Sequence, residues 1–314
     1  MIKRTLYFGN PAYLSLNNSQ LQLRLPEIEK GSAFSEEEKT ASVITIPVED
    51  IGIVILDNKQ ITITQGLIEA LLGNNAVLIT CDATHHPFGL LMPLTGNTIQ
   101  NERFRAQLDA TEPLKKQLWA QTISIKVKNQ SDHLQHRGIN HQYLSPLIKN
   151  VKSGDPENIE GTAAAFYWKS LSPALLHNAN EFRRERIGFP PNNFLNYGYA
   201  ILRATMARSI VGAGLLPTLG IHHANRYNAY CLADDLMEPY RPMVDKVVCD
   251  LLQDHPVNDD IPKEIKQLLL TIPAMDVVLD GEKSPLMNAT QRTAVSLVKC
   301  FNGDQRKLLY PEFV

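Results

Sequence analysis

The chain has 314 residues, 44% of them hydrophobic and 20% charged, with a net charge of −2. That length and apolar content suffice for two domains with their own cores and exclude disorder on a large scale. Four cysteines at 81, 231, 249 and 300 show no paired spacing, and no window holds the roughly 18 apolar residues of a membrane span, so neither a secreted disulfide framework nor a membrane role is expected. The opening run to Phe8 is followed by Gly9-Asn-Pro11 and not by an apolar stretch, which excludes a signal peptide and leaves a cytoplasmic protein as the expectation.

Residues 2–92 read as short strands broken by turns: 5–8, 13–16, 20–25, 42–46, 51–56, 61–64 and 76–80. The stretch 20–25 puts Leu21, Leu23 and Leu25 on one face and Gln22 and Arg24 on the other, as a half-buried antiparallel strand does. Asn17-Asn18 and Asp57-Asn58 stand where hairpin turns are expected. The polar run 26–41 reads as a solvated loop, and Leu67, Leu71 and Leu72 mark one short helix ending at Gly73-Asn74. His85-His86 before Pro87 reads as a loop and not as a ligand pair.

Pro93 and Gly96 mark a boundary, and the pattern then turns helical over roughly 97–110, 113–129, 131–151, 160–171, 192–212, 236–254, 261–272 and 286–302. The expected architecture is α+β in two domains: a small N-terminal β-sandwich over 1–94 and a larger all-α catalytic domain over 95–314. Charge is uneven, with 6 Lys/Arg against 10 Asp/Glu in 1–94, 17 against 12 in 95–241, and 8 against 11 in 242–314. A basic middle suits phosphates, although solvated helix faces give similar counts.

Three features in that middle carry chemistry. Glu160 heads a segment, Ala163 to Leu171, that is apolar on most faces; its carboxylate either favours a helix N-terminus or, if buried, asks for an arginine or a metal as its cation. Arg183, Arg184 and Arg186, in a proline-ended loop, suit phosphate contact through fork-shaped donors, and equally a solvated loop. The stretch Gly220 to Pro242 packs His222, His223, Asp234, Asp235, Glu238, Arg226 and Arg241 into 23 residues. Asp235 and Glu238, three apart, share a helix face while Asp234 points elsewhere; adjacent His222 and His223 cannot both aim at one point. Histidine with carboxylates suits Mg²⁺ or Mn²⁺, whereas Asp235-x-x-Glu238 also has the form of a capping box, and Glu238 and Arg241 also have the spacing of an intrahelical ion pair.

Glu160-Gly-Thr-Ala-Ala-Ala-Phe-Tyr-Trp168, Phe194-Leu-Asn-Tyr-Gly-Tyr-Ala-Ile-Leu202, Gly214-Leu-Leu-Pro-Thr-Leu-Gly-Ile-His-His223 and Asp235-Leu-Met-Glu-Pro-Tyr-Arg-Pro242, in that order, resemble the CRISPR-associated integrase and endonuclease of spacer acquisition, in the form found beside type II effector nucleases. The resemblance spans nearly the whole chain. It implies a metal site of Glu160, His223 and Glu238, with His223 preferred to His222 for its distance to Glu238, and Asp235 as an accessory acid. The final acid is Asp in some members of the family and Glu here. The implied reaction is attack of 3′-hydroxyls of a short DNA duplex on the phosphodiesters of a repeat array, or hydrolysis when water is the nucleophile, with Mg²⁺ or Mn²⁺. The implied partners are double-stranded DNA, a second copy in a homodimer, and a small ferredoxin-like adaptation protein that bridges two dimers into a hetero-hexamer, with the RNA-guided effector nuclease as a further candidate. On that reading Arg183, Arg184, Arg186 and Arg241 are expected phosphate contacts, and Tyr13, placed near a hairpin tip, is a candidate to stack on a duplex end or to fill the core. The alternatives are a stand-alone structure-selective nuclease and a non-catalytic DNA-binding scaffold.

Overall fold

The computed structural model describes residues 3–31, 34–176, 182–185, 188–255 and 259–313. The chain divides into two compact units, the first ending at Gly96 and the second beginning at Asn97.

The first unit holds β1 (Arg4–Phe8), β2 (Ala12–Asn17), β3 (Gln20–Arg24), β4 (Ile44–Pro47), β5 (Ile51–Leu56), β6 (Ile61–Ile63), β7 (Val77–Cys81) and β8 (Pro87–Leu91). They form two four-stranded sheets, in the orders β1-β5-β7-β8 and β4-β3-β2-β6. In the first sheet β1, β5 and β7 run parallel and β8 closes the edge antiparallel. Parallel central strands are covered on both faces, which is why Ile51 to Ile55 is a continuous buried run without alternation. In the second sheet β2, β3 and β4 are antiparallel, and Leu21 of β3 is buried while Arg24 is exposed. The β2–β3 turn places Asn18 and Ser19 at φ 47° and 58°, the twist that a two-residue hairpin needs.

Several expectations change in this unit. Asp57-Asn58 is no hairpin turn, because β5 and β6 belong to different sheets and the chain crosses between them. The Asp57 side chain is buried and accepts the Tyr7 hydroxyl at 2.6 Å and faces the His85 ring at 2.8 Å. The run 26–41 contains α1 (Pro26–Glu29) and α2 (Glu36–Ala41), the latter closed by a Ser35–Glu38 capping box that was legible as Ser-x-x-Glu. Tyr13 is not at the hairpin tip: it pairs with Arg24, at the end of the hairpin away from Asn18, and is half-buried with Lys30 Nζ 5.7 Å from its ring. Helix α3 (Gln65–Gly73) buries Leu67 and Leu71 against Leu14, Leu21, Ile51 and Val54.

The second unit is helical: α4 (Gln100–Asp109), α5 (Glu112–His136), α6 (Leu144–Asn150), α7 (Ile159–Leu175), α8 (Asn192–Gly212), α9 (Cys231–Met237), α10 (Arg241–Asp254), α11 (Lys263–Leu269) and α12 (Leu286–Asn302). One hairpin interrupts it, β9 (Asp276–Leu279) with β10 (Glu282–Pro285). The expected pair of helices over 113–151 is one long α5, then α6: Asn129-Gln130-Ser131 contains no breaker, and the chain turns only at Gly138, at φ 67°. The expected helix over 236–254 starts earlier and is jointed, with a 3₁₀ turn at Glu238–Tyr240 between α9 and α10. Among the described residues no helix is long and apolar enough to cross a membrane.

Helix α8 is buried along most of its length and packs against α9, α10 and α12. At Gly198 an added Cβ would stand 2.6 Å from Val244 Cγ1 and 3.3 Å from Ile272 Cδ1. Gly198→Ala is therefore expected to destabilise the protein by about 1–2 kcal/mol, since overpacking outweighs the gain in helix propensity. The denaturant midpoint measures this, and an unchanged or raised midpoint would show that α8 and α10 can separate at no cost.

Candidate active site

The site is built on one face of α5. Trp119, Lys126 and His133 are seven residues apart, two helical turns, so they line up along the helix. Trp119 stacks flat on His222, with centroids 4.1 Å apart and planes at 2°. The Lys126 ammonium stands 2.6 Å from Glu160 Oε1 and 2.7 Å from Glu238 Oε2. His133 Nδ1 meets the Tyr167 hydroxyl at 2.7 Å. None of these three roles was anticipated from sequence, although a lysine inside the stripe Trp119, Thr122, Ile123, Lys126, Val127 was the available signal.

Glu160 lies in the first turn of α7. The capping role open to it is taken by others: Asp155 accepts the backbone N–H groups of Ile159 and Glu160 at 2.8 and 3.0 Å, and Asn158 accepts that of Gly161 at 3.2 Å. The Glu160 side chain is thus free of the helix end and turns to Lys126, with 25% of it exposed. The cation beside Glu160 in this structure is the Lys126 ammonium.

Glu238 sits in the 3₁₀ turn, its side chain 6% exposed, and is tied to α5 where Asn129 Nδ2 donates to the Pro239 carbonyl at 2.7 Å. Its Oε1 pairs with Arg241 Nη2 at 2.9 Å, so the intrahelical ion pair is present. Burial pushes the Glu238 carboxyl up, but Arg241 and Lys126 outweigh it and hold the group below its ordinary value. Burial likewise pulls Lys126 down, and the Glu238 and Glu160 charges more than reverse this, so the amine stays an ammonium at neutral pH.

Asp235 does not cap its own helix, because α9 begins at Cys231 and Asp235 lies near its end. It is fully buried and instead gathers the preceding loop, accepting the N–H groups of Ile221, His222 and His223 at 2.7, 2.9 and 3.3 Å. It also meets His223 Nδ1 at 2.5 Å. A carboxylate only accepts, so Nδ1 carries the proton and, in the neutral ring, Nε2 keeps its lone pair. That bond to Asp235 raises the His223 pKa, against the effect of burial, with Glu238 and Glu160 adding to the rise. The loop turns tightly at Gly220, where a Cβ would fall 2.4 Å from the His223 carbonyl and 2.7 Å from Asp235 Oδ2. Asp234 points elsewhere, into a two-point pair with Arg203 at 2.6 and 3.0 Å.

The donor set suits a hard divalent ion: two carboxylates converge on one cation position, and an imidazole nitrogen is left with a free lone pair. Glu238 Oε2 is buried and, although Lys126 Nζ is close, receives no hydrogen bond of acceptable direction, which leaves a lone pair for a ligand. Among the described residues no three His, Cys, Asp or Glu side chains are already gathered as an ion cage. The Lys126 ammonium lies against both Glu160 and Glu238.

Beneath the site a second network holds Arg241. Its guanidinium lies 4.7 Å from the Tyr199 ring, with Arg184 at 5.1 Å, and Tyr199 and Tyr167 both donate to buried Asp245. Arg184 also binds Asn192 and Asn196 at 2.9 and 2.7 Å, so Arg184 and Arg241 are committed to internal partners, whereas Arg183 is exposed. Arg186 lies outside the described residues. Burial pushes Asp245 from 3.8 up to about 6, more than the two tyrosine bonds and the arginines pull it down. The folded chain then holds a proton that the unfolded chain releases at lower pH, so this contribution to stability is full below pH 3.8 and lost as pH rises to about 6. Across that window the parent should lose up to about 3 kcal/mol relative to Asp245→Asn in denaturation at fixed pH steps, and parallel curves would refute it.

Comparison with known proteins places the chain in a family. The family model described as CRISPR associated protein Cas1 matches residues 12–280. The chain belongs to the Cas1 family. A relative from Neisseria meningitidis serogroup C (strain 8013), named CRISPR-associated endonuclease Cas1, is 34% identical over 86% of this chain and 83% of its own length. In fold, the chain is similar to a casposase bound to integration product, with TM-score 0.75 and 20% identity over 98% of this chain and 92% of that one. It is also similar to a chain of a Cas6-RT-Cas1–Cas2 complex, with TM-score 0.70 and 19% identity over 97% of this chain and 35% of that one. The strand-rich N-terminal unit and larger helical unit are those of a Cas1-like fold.

Proposed function

We propose that this Cas1-family protein is a divalent-metal-dependent DNA endonuclease and integrase that inserts short duplexes into a CRISPR repeat array. The observation that carries the reading is the convergence of Glu160 from α7 and Glu238 from the 3₁₀ turn on a single cation position, with both charges near enough to act on the His223 ring. Glu160, Glu238 and His223 Nε2 are the residues that would hold Mg²⁺ or Mn²⁺. When bound, such an ion supplies Lewis acidity toward a phosphodiester and favours ionisation of an attacking hydroxyl. Asp235 fixes the His223 tautomer and ring direction, Arg241 neutralises the outer oxygen of Glu238, and the fold keeps the second network dry beneath them. On this reading the attack is made directly by a DNA 3′-hydroxyl, or by water in the nuclease reading, and asks for no covalent enzyme nucleophile.

The basic middle of the chain supports a DNA-backbone role, with exposed Arg183, and Arg186 in the same segment, as the phosphate contacts. Arg184 and Arg241 act better as supports of the site than as direct contacts, given their internal partners. The N-terminal unit serves homodimer formation and contact with DNA ends. Likeness to a chain solved with Cas2 supports a small partner protein, and the bridged hetero-hexamer and the effector nuclease belong to the same reading.

The test mixes the protein, its small partner, a duplex with free 3′-hydroxyls and a supercoiled repeat-bearing plasmid with Mg²⁺ or Mn²⁺. Joined product is expected with either ion and none with chelator. Cleavage without joining, with the partner present, favours the structure-selective nuclease, and neither product under any condition sinks the catalytic reading.

A further inference from the structure

Lys126 has no place in the reaction as derived so far, yet it is the cation on which both carboxylates converge. Its side chain is 9% exposed, and its Nζ lies within 2.7 Å of oxygens from two helical segments far apart in sequence. Resting on the reading of Glu160 and Glu238 as metal ligands, we propose that Lys126 is the built-in counter-ion of this site, and that a divalent ion loads by exchange with its ammonium.

Charge and space support exchange over coexistence. Glu238 already has Arg241 on its other oxygen, so Lys126 and Arg241 together match the two carboxylates. A dication added to that balanced set would meet a like charge bound to the same two oxygens, and the repulsion is steep in a buried position. The two contacts differ in form: the Glu238 contact is an ion pair at 2.7 Å without a well-directed hydrogen bond, whereas the Glu160 contact is a hydrogen bond at 2.6 Å. An alternative seat lies one helical turn along α5, where Gln130 Oε1 is buried without a hydrogen-bond partner. Residues four apart on a helix share a face, so the displaced amine would find one neutral amide oxygen in place of two carboxylates, a loss that binding of the dication must outweigh. The exchange also keeps the two acids together before the ion arrives, since without Lys126 they would repel.

The test reads metal binding and thermal unfolding, not activity. Lys126→Met is expected to unfold at lower temperature in chelator and to bind Mn²⁺ at least about tenfold more tightly in calorimetry, because a competing charge is gone. Its melting temperature should therefore rise more than the parent's at equal Mn²⁺. Lys126→Arg, which holds carboxylates by a two-point fork, should bind Mn²⁺ no better than the parent. Unchanged or weaker Mn²⁺ binding by folded Lys126→Met, with parent binding abolished in Glu160→Gln, would overturn the exchange while leaving the metal site intact. Should Lys126→Met not fold, Lys126→Gln replaces it with the same expectation. Mn²⁺ binding by neither the parent nor the Lys126 variants would overturn the metal reading, and the exchange with it.

Discussion

Glu160→Ala is expected to lower DNA joining and cleavage by at least about 100-fold while leaving the protein folded, since metal-assisted charge stabilisation is worth several kcal/mol at the transition state. Glu238→Ala should cost as much activity, but by a route that also harms stability. Glu238 answers two cations, buried Lys126 and part-exposed Arg241, whereas among the described residues Glu160 answers Lys126 alone, which keeps Glu238 when Glu160 is gone. Removing one partner from a buried pair costs about 3–5 kcal/mol, so Glu238→Ala should melt well below the parent and Glu160→Ala close to it. Joining assays run beside thermal unfolding separate the two. If a folded Glu160→Ala joins DNA as well as the parent, the assignment of the site is wrong.

Asp235→Ala is expected to destabilise the protein by about 2–5 kcal/mol, on a par with Glu238→Ala. The carboxylate is fully buried and serves three backbone N–H groups as well as the His223 ring. Each donor left dry costs about 1–3 kcal/mol, although water can reach those of His222 and His223, and only Ile221 is buried. Asp235→Asn preserves shape but sets an amide N–H against backbone donors, so it should recover only part of the loss. Both variants free the His223 ring, and proton NMR should show its pKa falling back toward the ordinary imidazole value, since the Asp235 bond is the main cause of its rise. A His223 pKa unmoved in folded Asp235→Asn would mean that another group holds the ring.

How much of this was legible in one dimension follows from which interactions are local. The alternation at 20–25, a hairpin turn one residue on from the expected Asn17-Asn18, at Asn18-Ser19, and the span of α8, which begins at an Asn and ends in Gly212, are set by neighbours along the chain and were readable. So was the parting of Asp234 from Asp235 and Glu238, because helix periodicity alone separates them. The crossover at Asp57-Asn58 was not, since a polar turn after a strand looks the same whether the chain returns to its own sheet or passes to another. The continuity of α5 was obscured by polar Asn129, Gln130 and Ser131, all buried, with Asn129 donating to the distant Pro239 and Pro311 carbonyls.

The sequence by itself determined the two-part organisation and the family, and named Glu160, His223 and Glu238 as candidates, because composition, periodicity and ordered motifs are properties of the chain alone. Only the tertiary structure decided which groups answer those residues. Trp119 against His222, Asp235 beneath His223, and Lys126 between Glu160 and Glu238 join segments 12 to 112 residues apart. Such pairings depend on how helices pack, and ion pairs in a buried site are chosen by distance in space, which the order of residues does not encode directly.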